Sequence, residues 1–226
     1  MTTSIKTAVA LVVASLFAVQ VYANNKVYIE QAGSTNTVTI TQIGGTNRVG
    51  DSGLGNQSII TGSNNALTVL QQGTGNILDY TVTGSGNTVN KSVTGDTNQI
   101  TFTCGDNTTA CTNVTSTMTI TGDLNTVTST IKGSAITNVL AITGDSNTVT
   151  QSILTSNSTS DITITGDSNT FTSSMSGSGA SIGHHLTATV LGTSNTHTVT
   201  QSGTVSTTVN IATNGSSNTV TVSTGN

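Results

Sequence analysis

Residues 122–153 read GDLNTVTSTIKGSAITNVLAITGDSNTVTQSI and carry one pattern twice. Gly122-Asp123-Leu124-Asn125 leads into Thr126-Val127-Thr128-Ser129-Thr130-Ile131, and Gly144-Asp145-Ser146-Asn147 leads into Thr148-Val149-Thr150-Gln151-Ser152-Ile153. After each Asn the residues alternate with period two, which sorts them onto the two faces of an extended strand. Val127, Ser129 and Ile131 share the face of Asn125, whereas Thr126, Thr128 and Thr130 point the other way.

Outward from this stretch the same unit recurs. Gly-x-x-Asn stands at Gly33/Asn36, Gly44/Asn47, Gly53/Asn56, Gly62/Asn65, Gly73/Asn76, Gly84/Asn87 and Gly95/Asn98, then at Gly122/Asn125, Gly144/Asn147, Gly166/Asn169, Gly192/Asn195 and Gly215/Asn218. The interval is about 11 residues early and about 22 later, a self-similarity that marks a solenoid. Gly and Asn reach left-handed backbone conformations at low cost, so each Gly-x-x-Asn reads as a tight bend between strands. Strands entering the bends alternate too, with Met118 and Ile120, Leu140 and Ile142, Ile162 and Ile164, and Val209 and Ile211 in phase. A coil of two strands per turn sets each strand over its equivalent in parallel, with Asn over Asn and Thr over Thr, which a stack of hairpins would not do. The expectation is an all-β, thin, two-sided parallel β-solenoid of about 22 residues per coil, about nine coils and roughly 40–45 Å in length.

Composition agrees. Of 226 residues, 6% are charged and 3% aromatic, with no Pro and no Trp. That leaves too few large side chains for a thick core, so order must come from backbone pairing and thin, repeated packing. Low charge argues against a charge-swollen disordered chain, and the net charge of −4 against an electrostatic nucleic-acid binder. Residues 1–23, with Lys6 ahead of an apolar stretch from Ala8 to Val19 and Val21 and Ala23 at the end, read as a secretory signal peptide. The solenoid domain would then occupy residues 24–226 of an exported chain.

Along the stack each Asn amide can donate to the next, satisfying both of its polar atoms. Gln31, Asn36, Gln42, Asn47, Asn65, Gln71, Asn76, Asn125, Asn147, Asn169, Asn195 and Asn218 are the expected ladder and bend residues. The alternative is that Asn serves only the bend conformation, in which case Asn147→Gly would be almost neutral.

Gln31-x4-Asn36-x5-Gln42-x4-Asn47 and Asn65-x5-Gln71-x4-Asn76 resemble the repeats of curlins, the subunits of bacterial curli fibres, and Asn195-x5-Gln201 repeats half of the pattern. The likeness is closest over residues 25–47 and loosens after Asn98, where Ile131, Ile153 and Met175 hold the second Gln position and Asn25 stands where a curlin repeat usually opens with Ser. The resemblance implies an extracellular amyloid-like fibre, secreted unfolded through an outer-membrane pore and assembled outside the cell, with secretion and nucleation factors as partners. The residues lead the same way. The last strand, from Asn218 to Thr224, carries no charge, and the first, from Lys26 to Gln31, only Lys26 and Glu30. An open strand edge without Pro, charge or a cover is a template for pairing, and head-to-tail pairing of one chain with the next propagates as a filament for adhesion or a biofilm matrix.

Other features read as structural. Cys104 and Cys111, with six residues between them in an exported chain, suggest a local disulfide that enlarges one bend. Asp96, Asp123, Asp145 and Asp167 share one place in Gly-Asp-x-Asn bends, the last three in a column; such a column could take Ca²⁺, or the carboxylates could simply face water and cap turns. His184 and His185 fall in the irregular residues 176–185 and read as exposed, His197 as buried, which makes no metal set. No nucleophile triad or paired acids stand out, so neither enzyme activity, a cofactor nor a small-molecule substrate is expected. Two other readings remain. The pairs Thr126/Thr128, Thr148/Thr150, Thr170/Thr172, Thr196/Thr198 and Thr219/Thr221 resemble the flat Thr arrays of some antifreeze proteins, which would make an ice-binding solenoid. A phage fibre or adhesin would need a receptor site, for which residues 176–185 are the candidate.

Overall fold

A computed structural model describes residues 24–50, 58–106, 108–177 and 183–225. The signal peptide expected at 1–23 and the bend expected at Gly53/Asn56 lie outside the described residues, as does part of 176–185. The chain is all-β and winds into a parallel solenoid of about eight turns. One sheet runs from Lys26–Val27 and Ile29–Ala32 to Thr219–Thr224, and the facing sheet from Thr37–Ile43 to Thr208–Asn214. Among the described residues the first has nine strands along its stacking path and the second eight, slightly fewer coils than the nine expected.

Equivalent residues stack in register. Thr126 lies under Thr148, then Thr170, Thr196 and Thr219, while Val127 lies under Val149 and Phe171. The inward residues of both sheets meet in a core one side chain deep from each side. Ile131, Ile153 and Met175 form one of its columns, fully buried, and Ile120, Ile142 and Ile164 recur at the equivalent place on the facing sheet.

The basic coil is 22 residues, as between Asn125 and Asn147. It lengthens to 29 residues between Asn47 and Asn76, 27 between Asn98 and Asn125, 26 between Asn169 and Asn195, and 23 between Asn195 and Asn218. The strands on either side keep their register throughout. Two corners alternate along the winding. Asn47, Asn76, Asn98, Asn125, Asn147, Asn169, Asn195 and Asn218 stack at one, which we term the asparagine corner. Asn36, Asn65 and Asn87 begin the other, where Val114, Ile136, Ser158, His184 and Thr207 then take their place, each accepting a backbone hydrogen bond from the strand beneath. This replacement is why the Gly-x-x-Asn interval doubles after Asn98.

Backbone conformation at the bends differs from the expectation in one respect. Gly122 has φ +123°, and a Cβ there would also collide with the carbonyl oxygen of Gly144 in the next coil, so stacking and conformation both demand glycine. The second left-handed residue is not Asn but the one before it: Leu124 at φ 57°, Ser146 at 57° and Ser168 at 57°. Asn is spared for another task, because only an extended residue can point its side chain along the stack.

Candidate functional site

At the asparagine corner the amides form a relay from coil to coil. Asn125 Oδ1 accepts from the backbone N–H of Asn147 at 3.0 Å and from its Nδ2 at 3.1 Å. Asn147 Oδ1 accepts likewise from Asn169, at 2.9 and 3.0 Å, and Asn169 Oδ1 from Asn195, at 2.9 and 3.0 Å. The pattern runs from Asn47, whose Oδ1 serves Asn76, up to Asn218 on Asn195. In Asn76, Asn98, Asn169 and Asn195 the remaining amide hydrogen goes to a glycine carbonyl of the coil above, as from Asn169 to Gly192 O at 2.9 Å and from Asn195 to Gly215 O at 2.8 Å. A buried polar column is thereby satisfied at both atoms. Asn65 and Asn36 share a shorter ladder at the other corner, closed when Asn87 Oδ1 accepts from the N–H of Val114 at 2.9 Å.

The glutamines behave differently. Gln42 Nε2 donates to Gln71 Oε1 at 2.7 Å, but the rung beyond Gln71 is Val93, so this ladder has two members. Gln31 stands under Ile60 and has no glutamine to pair with.

The carboxylates of the Gly-Asp-x-Asn bends form a column of four. Each accepts a backbone N–H from the coil below: Thr74 to Asp96, Asp96 to Asp123, Asp123 to Asp145 and Asp145 to Asp167, at 2.7–2.8 Å. Their placement is thus accounted for by capping. Cys104 and Cys111 are joined as a disulfide with both residues buried. The expectation that His184 is exposed is overturned. It occupies the ladder position of Asn36 at the second corner and is fully buried, with Nε2 on Ser176 O at 3.1 Å and Nδ1 on Thr207 Oγ1 at 2.8 Å, while His185 is exposed. His197 is buried over Phe171, its ring centroid 6.0 Å away, and burial lowers its pKa.

One buried group was not anticipated. Lys91 is 3% exposed; its Nζ donates to Ser116 Oγ at 2.9 Å and lies 4.1 Å from the Phe102 ring centroid. Burial lowers its pKa to about 7. Ser116 continues to Asn138, and Asn138 to Gln151 and Ser160, which gives the middle coils a polar seam inside the core. The alternation Asn87, Val89, Lys91, Val93 already put Lys91 in core phase; only its charge argued otherwise.

Two surfaces are left for contact. The outward Thr-x-Thr pairs stack in register over five strands of the first sheet, from Thr126/Thr128 to Thr219/Thr221. At the ends, Thr219–Thr224 and Thr208–Asn214 pair on one edge only among the described residues, as do Thr37–Ile43 and the strands of 26–32. Apolar residues of core phase there, Val38, Ile40, Ile211 and Val222, are only half-buried.

Comparison with known proteins agrees with the geometry. A family model described as the Curlin associated repeat matches residues 19–44, of which 24–44 form the first strands of both sheets and the corner at Asn36. The match supports a curlin-like repeat at the start of the solenoid. No curated protein and no solved structure gives a significant match.

Proposed function

We propose that the chain is a secreted structural subunit that polymerises head to tail into an extracellular curli-like filament for adhesion or a biofilm matrix. The observation that carries this reading is that, among the described residues, both end coils present parallel strand edges paired on one side only and bearing the internal repeat pattern. A second copy stacked on Thr219–Thr224 would meet Asn218, Val220 and Val222 with its own Asn25, Val27 and Ile29, and a contact that joins unlike ends cannot close on itself. Its partners are copies of itself and outer-membrane secretion and nucleation factors, and its role is mechanical rather than catalytic. The test is seeded polymerisation of purified chain, followed by dye binding and fibre diffraction. The expected result is seed-dependent growth and a meridional reflection near 4.7–4.9 Å; a monodisperse monomer at high concentration with seeds present would overturn it.

The registered Thr columns favour a second reading, an ice-binding face. Freezing hysteresis of soluble monomer tests it, and loss of that activity on replacing Thr150 and Thr172 by Lys is its expected signature.

A further inference from the structure

The Cys104–Cys111 disulfide stands where a single residue stands in the coils on either side. Cys104 is in register with Val82 below and Ile131 above, and Cys111 with Gly84 below and Gly133 above. Thr83 alone spans that step in the lower coil and Lys132 alone in the upper, whereas here residues 105–110 intervene. A regular strand separates residues i and i+2 by about 6.6 Å, and the two cysteine Cα atoms are 5.5 Å apart. The covalent link therefore spans the distance that one residue spans elsewhere.

The excluded loop is organised around Asp106. Its Oδ1 accepts from the N–H groups of Thr108 and Thr109 at 2.9 and 2.7 Å, and Lys132, the residue at this very place in the next coil, donates Nζ to its Oδ2 at 2.5 Å. Lys132 holds the Asp106 carboxyl below the usual carboxylate range, helped by the Thr108 hydroxyl and the two N–H groups. Thr108, Thr109 and Ala110 are exposed.

We propose that the cysteine pair is a redox-controlled register clip, which lets the coils after Cys111 stack in phase on those before Cys104 only when it is oxidised. With two thiols in place, residues 105–110 can feed into the strand in steps of two, and each such slip keeps inward residues inward, so alternation does not exclude the wrong registers. Closure is thiol–disulfide exchange with a small disulfide oxidant of the glutathione class. One cysteine thiolate attacks the oxidant and expels one thiol; the second cysteine resolves the mixed disulfide and expels the other. Two electrons and two protons thus pass to the oxidant. In a compartment that keeps thiols reduced the chain lacks the clip, and outside the cell it gains it. That last step, in which assembly is tied to an oxidising setting, rests on the filament reading; the clip itself does not.

The test compares full-length chain in oxidised glutathione, the same chain in dithiothreitol, and a variant in which residues 104–111 are replaced by Val-Thr-Gly, the sequence at this place in the coil below. Urea unfolding is followed by circular dichroism, and amide exchange is followed along the spine. Reduction is expected to lower the folding equilibrium constant about 50-fold, with protection lost first at Asn125 and the strand Thr126–Ile131. The shortened variant is expected to match the oxidised chain in both buffers. Equal stability and protection with and without dithiothreitol would overturn the clip, as would a shortened variant that behaves like the reduced chain. Seeded growth is read on the same samples: failure to polymerise in all of them counts against the filament and leaves the redox comparison intact.

Discussion

Asn147→Ala is the sharpest probe of what holds the coils together. The substitution removes the Nδ2 bond to Asn125 and both bonds that Asn147 Oδ1 accepts from Asn169. Asn169 keeps its Nδ2 bond to Gly192, but its backbone N–H is left buried without an acceptor. Three hydrogen bonds at about 1 kcal/mol each, with the stranded N–H toward the upper end of its range, give a loss of about 3 kcal/mol. Thr148→Ala, one residue along and facing solvent, should cost less than about 0.5 kcal/mol. Asn147→Gly separates the ladder from a conformational role. Because the left-handed residue is Ser146, glycine at 147 brings no relief of strain and should cost the ladder plus up to about 1 kcal/mol of chain entropy. Urea unfolding of freshly prepared monomer by circular dichroism measures all three. Asn147→Ala within error of Thr148→Ala, or Asn147→Gly close to wild type, would refute the ladder as a source of stability.

Lys91 is neutralised more easily folded than unfolded, so between about pH 7 and the usual lysine range the unfolded chain holds the extra proton and stability should rise with pH. Lys91→Met should flatten that rise and add about 3 kcal/mol at pH 6, after allowance for the Phe102 contact that already favours the cation; an unchanged slope would show that the ammonium reaches water. For His197 the folded pKa is lowered, so stability should hold above the ordinary histidine pKa and fall as the pH drops below it, and His197→Phe should remove that part of the acid sensitivity in thermal melts. Leu124, exposed and at φ 57°, pays a steric cost of about 1 kcal/mol that Leu124→Asn should recover as a higher urea midpoint. Four Gly/Ser residues inserted after Ser134, at the variable corner, should cost about 1 kcal/mol or less, whereas the same insertion after Ser146 should abolish cooperative unfolding.

The core was legible because every strand obeys one phase, in which Val127, Val149 and Phe171 follow from counting by two from Asn125. The same count places Lys91 inside, against its charge, because a long aliphatic stem can follow its neighbours inward and deliver the ammonium to Ser116 and the Phe102 face. Coil closure was less legible. An interval of 27 or 29 residues does not say where the surplus leaves, since that depends on which residues find parallel partners on both sides. The identity of the left-handed residue was hidden for a related reason: Thr, Ser and Leu accept that conformation here because the stacked Gly and Asn around them determine the bend. His184 was misplaced because the irregular composition around it conceals that it occupies a ladder position.

The two corners have different chemistry because they have different duties. At the asparagine corner every side chain from Asn76 to Asn195 both gives to and takes from its neighbours, so a single apolar replacement strands two partners and the column must remain unbroken from coil to coil. At the other corner the ladder stops once, at Asn87, whose Oδ1 is satisfied by the N–H of Val114. Beyond that point buried Val114 and Ile136 ask for no polar partner, and the column is free to change. The disulfide loop after Cys104 falls on that second corner, where no amide relay is interrupted. In a filament built by stacking, the first corner would carry continuity from subunit to subunit, and the second would be where loops can vary without cost to the stack. Adhesive specificity would then evolve at the variable corner and polymerisation at the asparagine corner, each without disturbing the other.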